Sequence, residues 1–255
     1  AWIYAGKSNP SSNKLYLKRV AEFAGRLKDM KGLNIEEDVA KGKIMQHLKR
    51  NGIGAIASTT KPKEAFPKGE WVSLLDEGVM KNVKKQGGEW LIDGKEISVR
   101  NNGGNCSMLF DIPSEVLENG YEIEYVLKSV GELVGTYIPI GNTGFTTLLH
   151  CGFGASGLDR VGQKRCNENE TTVRGMPKAG SKIRITVRPN GKNWNVIITV
   201  NGKPVINCNK PAKEFDLNDD WRIDQSKEKD GPKRAGFIGN GKDVSSYRMP
   251  KLKKL

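Results

Sequence analysis

The chain has 255 residues, 36% hydrophobic and 28% charged, which is enough for one large or two modest domains with a real core. Its formal net charge is +13, and no apolar run is long enough to cross a bilayer as a helix, so a transmembrane segment is excluded. Four widely spaced cysteines (Cys106, Cys151, Cys166, Cys208) with no C-x-x-C pair argue against a zinc site and read as free, half-buried thiols ahead of disulfides, with one bridge between an unassigned pair left open in an oxidising compartment.

The first 68 residues carry 14 basic and 6 acidic side chains, a net +8, against +5 for the rest. That density favours an acidic partner, either a protein surface or an anionic glycan, ahead of nucleic acid; a solvated helix face explains it equally well. The chain begins with Ala rather than Met, which reads as a removed signal peptide, hence a secreted or periplasmic protein, or as a fragment.

Trp2, Ile3 and Tyr4 form an apolar lead. Pro10 to Asn13 supplies helix start signals, and Leu15, Leu17, Val20, Phe23, Ala24, Leu27 and Met30 recur at helical spacing until Gly32. A second helix is predicted over 35–50, with acids in its first turn and Lys49 and Arg50 in its last. Such a hairpin is too small to stand alone, so Trp2, Tyr4, Leu17, Val20, Phe23 and Leu27 are candidates for docking a partner. The two prolines of 59–69 read as a linker.

From Glu70 onward the pattern is β. Strands are predicted over 71–75, 90–92, 96–100 and 106–112, with Asp93-Gly94 as a hairpin turn and 113–117 as a loop or helical turn. Residues 119–149 read as a three-stranded meander. Tyr121, Ile123, Tyr125 and Leu127 alternate with Glu122, Glu124, Val126 and Lys128, Gly131 breaks the run, and 134–140 and 145–150 follow around a Gly-Asn-Thr-Gly turn. Residues 150–172 read as a long polar connection. Strands at 182–188, 194–200 and 204–208 are joined by two Asn-Gly turns, and strands at 235–239 and 244–252 close the set. Residues 216–231 form an acidic, irregular loop holding Trp221. Short strands with no helix between them argue for a sandwich.

Several segments together carry a resemblance: WLIDGKEI at 90–97, GYEIEYVL at 120–127, GTYIPIG at 135–141, ASGLDR at 155–160, N-x-x-T at 169–172, the paired strands at 182–205, AGFIGNG at 235–241 and VSSYRMPKL at 244–252. In this order they resemble the concanavalin A-like, laminin-G-like jelly rolls of planctomycete-type bacterial proteins. More distantly, they are similar to the 3-keto-disaccharide hydrolase domain family. The resemblance covers about residues 69–255 and implies two packed antiparallel sheets, glycan binding or attachment in many members and hydrolysis in some.

Glu122 and Glu124 are the best acid pair for a glycan hydrolase, but they share one strand, and the solvated face of an amphipathic strand accounts for them better. His150 and Cys151 are sequence neighbours that point to opposite faces, so they make no dyad. The 150–174 segment gathers His150, Asp159, Arg160, Arg165, Asn167, Asn169 and Arg174, side chains suited to hydroxyls and carboxylates; Asp159 and Arg160 serve equally as a structural pair. Among the tryptophans, Trp90 and Trp194 sit inside strands and read as core, whereas Trp221 is the sugar-stacking candidate. Without a D-x-D spacing or a phosphate loop, no metal and no cofactor is expected.

The expectation is therefore a mainly β, two-sheet antiparallel jelly-roll sandwich over 69–255, preceded by an α-helical hairpin and linker over 1–68. Its expected function is as a non-catalytic binding or attachment module for a glycan or an acidic protein partner. The alternatives are a structural subunit of a multi-subunit assembly, docked through the helices, and a glycan hydrolase.

Overall fold

The structure is a computed structural model, and it describes residues 66–100, 103–141, 143–150, 154–175, 177–216, 233–240 and 242–255. The chain divides into two units, Ala1–Glu64 and Ala65–Leu255, and every described residue belongs to the second. The expected helical hairpin lies outside the described residues.

In chain order the elements are β1 (Trp71–Ser73), α1 (Glu77–Met80), β2 (Lys84–Gln86), β3 (Glu89–Asp93), β4 (Glu96–Arg100), β5 (Asn105–Ile112), α2 (Ser114–Glu118), β6 (Tyr121–Ser129), β7 (Leu133–Ile140) and β8 (Thr143–His150). There follow β9 (Ala155–Asp159), β10 (Val173–Arg174), β11 (Lys182–Asn190), β12 (Asn193–Val200), β13 (Lys203–Pro211), a 3-10 turn at Ala212–Glu214, β14 (Lys233–Asn240) and β15 (Ser245–Lys254). They form two sheets. The larger runs β13-β12-β11-β6-β15-β4-β3, with β1 added beside β15, and the smaller runs β10-β9-β8-β7-β14-β5-β2. All pairings between these strands are antiparallel. The chain crosses between sheets repeatedly, and its two last strands, β14 and β15, take interior places in opposite layers, as in a jelly roll.

Three sequence expectations need correction. The meander at 119–149 does not exist as one sheet: β6 belongs to the larger sheet, while β7 and β8 pair in the smaller. The chain crosses layers around Gly131 because both β6 and β7 have an apolar face to bury, and each buries it against the other. Across the gap Tyr125 Oη and Thr136 Oγ1 share a hydrogen bond of 2.7 Å, and Tyr121 Oη donates to Pro139 O at 2.6 Å. Next, the segment 150–172 is not all connection, since Ala155–Asp159 is a strand buried along its whole length. Small residues without alternation hid it. Finally, Glu122 and Glu124 do not lie on a solvated face; they are 6% and 3% exposed.

The core sits between the layers. Tyr125, Phe237, Tyr247 and Phe110 meet largely edge to face at its centre, with ring centroids 4.3 to 6.1 Å apart. Around them Ile123, Ile183, Ile185, Val196 and Ile198 from one sheet face Met108, Ile138, Phe145 and Leu158 from the other. Cys106, Cys166 and Cys208 are buried thiols, and burial pushes the Cys106 and Cys208 thiols up to about 11, which makes poor nucleophiles of them.

Candidate functional site

The outer face of the larger sheet is built by register. Glu122 on β6 lies opposite Lys253 on β15 and Thr186 on β11; Lys253 in turn lies opposite Trp71 on β1. One step along, Glu124 lies opposite Lys251 and Arg184, and Lys251 opposite Ser73. The alternation of each strand puts these residues outward while Ile123, Ile185, Leu252 and Val72 go inward. The result is two rows of alternating charge running across four strands.

Glu124 is the hub. Arg184 Nε and Nη2 both donate to its Oε2, at 2.8 and 2.6 Å. Lys182 and Lys251 approach its Oε1 at 3.0 and 2.9 Å. Burial by itself raises the carboxyl's pKa, but the hydrogen bonds from Lys251, Lys182 and Arg184 outweigh it and hold the pKa at about 2, below the ordinary 4.5. Glu122 pairs with Lys253 at 2.6 Å and accepts from Thr186 Oγ1 at 3.1 Å. The indole of Trp71 lies over the same cations, 4.6 Å from Lys251 Nζ, 4.9 Å from Lys253 Nζ and 5.5 Å from the Arg184 guanidinium carbon.

Beside this cluster runs a groove of about 540 Å³ lined by Trp71, Ser73, Asp76, Lys95, Lys182, Met249 and Lys251, with Glu124 at its floor. It opens where β15 changes neighbours: Arg248 still pairs with β4, Lys251 already pairs with β1, and the register slips between them. Met249 sits in that slip, 45% exposed and held at φ +51°, its N–H donating to Lys95 O at 2.6 Å. Asp76 precedes α1, but its carboxylate makes no capping bond there.

The sequence-predicted binding residues of 150–174 have a different role. Asp159 is 3% exposed, and its Oδ1 accepts from the Cys166 N–H at 3.1 Å. Asn169 is 8% exposed and donates to Leu158 O, Lys164 O and Arg165 O, while its Oδ1 accepts from the Thr171 N–H and hydroxyl. Both side chains hold the loop to itself, and neither faces solvent. Asn167 is half-buried; Arg165 and Arg174 are exposed and Arg160 half-exposed, the last at φ +63°. Arg174 borders a separate cavity of about 270 Å³ with Leu149, Ser156, Val173 and Val205. The backbone of His150 closes β8. Trp90 and Trp194 pack half-buried at the margin of the core, the indole N–H of Trp90 donating to Gly87 O at 2.9 Å. Trp221 and the docking candidates Trp2, Tyr4, Leu17, Val20, Phe23 and Leu27 lie outside the described residues. Among the described residues no three His, Cys, Asp or Glu side chains gather to hold a metal, and no helix is long and apolar enough to cross a membrane.

Sequence reasoning found Glu122 and Glu124 but missed Trp71, Lys182, Arg184, Met249, Lys251 and Lys253. A signal existed, since Lys182 and Arg184, and Lys251 and Lys253, each flank one inward apolar residue as the two glutamates do. Only the strand register brings the three pairs together.

No family's sequence profile matches the chain, and no curated protein matches it. Solved structures give remote similarities. A carbohydrate-binding module, CBM66 from Bacillus subtilis, is 10% identical over 67% of this chain and 94% of its own, with a TM-score of 0.42. A Bacillus subtilis protein of unknown function with a galectin-like fold is 10% identical over 74% and 98%, at 0.44. A legume lectin-like domain from Entamoeba histolytica is 14% identical over 70% and 92%, at 0.42. Identities and scores this low transfer no function, and the fold stands on the strand order itself. These comparisons do not show the narrower kinship with planctomycete-type or 3-keto-disaccharide hydrolase domains.

Proposed function

We propose that the sandwich is a non-catalytic glycan-binding module of the concanavalin A-like kind, and that it binds on the outer face of its larger sheet. The observation that carries this reading is the groove, which brings a half-buried indole and an exposed thioether beside the hydroxyl, carboxylate and ammonium groups of Ser73, Asp76, Lys95, Lys182 and Lys251. Sugars are held by that combination of an aromatic surface and convergent hydrogen-bonding groups. Hydrolysis is disfavoured by the same geometry. A glycosidase needs one carboxyl kept protonated as an acid and a second facing it across the bond. Glu124 is held ionised far below neutral pH, and Glu122 stands two residues away on the same strand. A glycan ligand would place the module outside the cytoplasm, secreted or periplasmic.

A glycan array probed with the wild-type chain and with Trp71→Ala tests the reading. Retention of a sugar by the wild type and its loss in a folded variant supports it; an array without signal removes it. Reducing-sugar release that disappears in Glu124→Gln would put the hydrolytic reading in its place. A second role, docking of a partner or assembly through the N-terminal 68 residues, is favoured by their net charge of +8 and is tested by size-exclusion with and without that segment.

A further inference from the structure

We propose that the groove selects an acidic saccharide, one carrying a carboxylate or a sulfate, and that Lys182 and Lys251 are the residues that read the acid group. This rests on the glycan-binding reading above and adds the ligand class to it.

Positive charge is in excess on this face. Four cations, Lys182, Arg184, Lys251 and Lys253, surround two carboxylates, Glu122 and Glu124. Lys253 and Glu122 neutralise each other. Arg184 alone, with two bonds to one oxygen, neutralises Glu124. The remaining two ammonium groups both crowd the other oxygen of Glu124, within 3.0 Å, and both line the groove. Placing two like charges on one atom is unfavourable by itself, and one carboxylate cannot offset both. A third anion entering from the groove would settle them. The groove's lining adds one further acid, Asp76, and one further cation, Lys95, so the excess of positive charge is unchanged.

The geometry suits such a ligand. The side chain of Lys182 is 51% exposed and that of Lys251 33%, so each can reach a group in the groove while its stem stays on the sheet. Trp71, bound to the same lysine, offers the remainder of its ring to the sugar. Asp76, free of any capping bond, is available to accept from sugar hydroxyls, but its charge repels a second acid group nearby. The expected occupant therefore has one acid group per residue bound, flanked by hydroxyls.

Titration calorimetry with three oligosaccharides of equal length, one of uronic acid residues, one sulfated and one neutral, decides the matter. One or both acidic sugars should bind about tenfold more tightly than the neutral one at low salt, with the advantage shrinking as salt screens it. Lys182→Gln and Lys251→Gln should each remove most of that advantage, read as the ratio of acidic to neutral affinity within the same variant, and Lys192→Gln, in the distant β11–β12 turn, should leave the ratio as it is. Preference for one acidic sugar over the other identifies the acid group. Equal binding of neutral and acidic sugars overturns this proposal and leaves the binding module standing. An acid preference that survives both groove variants also overturns it, tracing the preference to the overall charge of +13. Binding of none of the three would remove both readings.

Discussion

The two sheets use their outer faces in opposite ways. On the larger sheet, Glu122, Glu124, Thr186, Arg184, Lys251 and Lys253 make a continuous polar network crossed by one groove. On the smaller sheet, Leu109, Tyr137, Leu148, Ala155 and Ile238 make a second apolar cluster, joined by Cys166 from the segment after β9. That segment comes so close to the sheet that the Cys166 carbonyl occupies the space where Gly157 would carry a Cβ. On the first face the two acids are buried under paired charge while the cations stay partly exposed, and on the second the covering is apolar contact. Alternation along a strand says which residues share a face, but not whether that face is wet.

The comparison breaks most sharply at the charge network. Glu124→Gln leaves three cations around a neutral amide that is almost wholly enclosed, a loss of about 3 kcal/mol at neutral pH. Its pH dependence carries a definite sign. The folded pKa of Glu124, about 2, lies below the ordinary 4.5, so its contribution is complete above 4.5 and disappears as the pH falls from there towards 2. Urea midpoints should separate wild type from variant at pH 7 and converge near pH 2. A gap that persists at low pH would assign the loss to packing rather than to charge.

On the other face the sensitive point is Gly157. A methyl group there meets backbone, the Cys166 carbonyl, rather than a side chain that can turn away. Gly157→Ala should cost about 2 kcal/mol and speed hydrogen exchange at the Cys166 amide, which Asp159 otherwise holds. Unchanged stability would mean that the 160–172 segment rests loosely on the sheet.

How much of this was legible depends on which signal each element carries. Hairpins formed at all three turn signals, because a two-residue turn with a left-handed position is a local requirement: Asn201-Gly202 are the turn residues themselves, whereas Asp93 and Asn190 stay paired in their strands and Gly94-Lys95 and Gly191-Lys192 turn the chain. β9 was invisible, since ASGLD is buried on both sides and shows no alternation. The crossing from β6 to β7 was misread as a turn within one sheet, because whether two strands pair or face each other is decided by the whole core. The site fared in the same way. Glu122 and Glu124 could be picked from one strand, but their partners come from two others, β11 and β15, with Trp71 of β1 over the cations, and only register assembles them. Asp159 and Asn169 looked like ligand groups because polar residues in a loop carry no mark of whether they face outward or hold the loop.

The smallest expected effect lies at Met249, on the rim of the groove. A side chain with a Cβ is strained at φ +51°, and the register slip between Arg248 and Lys251 holds the backbone there, with the Met249 N–H tied to Lys95 O. The side chain is 45% exposed, so removing it gives up little burial. Asn accepts left-handed backbone more readily than Met does, and Met249→Asn should raise stability by about 0.5 kcal/mol in urea unfolding. Sugar binding in the same variant then separates two uses of the residue. Binding that weakens while stability rises would mean that the thioether is kept at a strained position for its contact with the ligand; binding that does not change would leave Trp71 as the apolar surface of the groove.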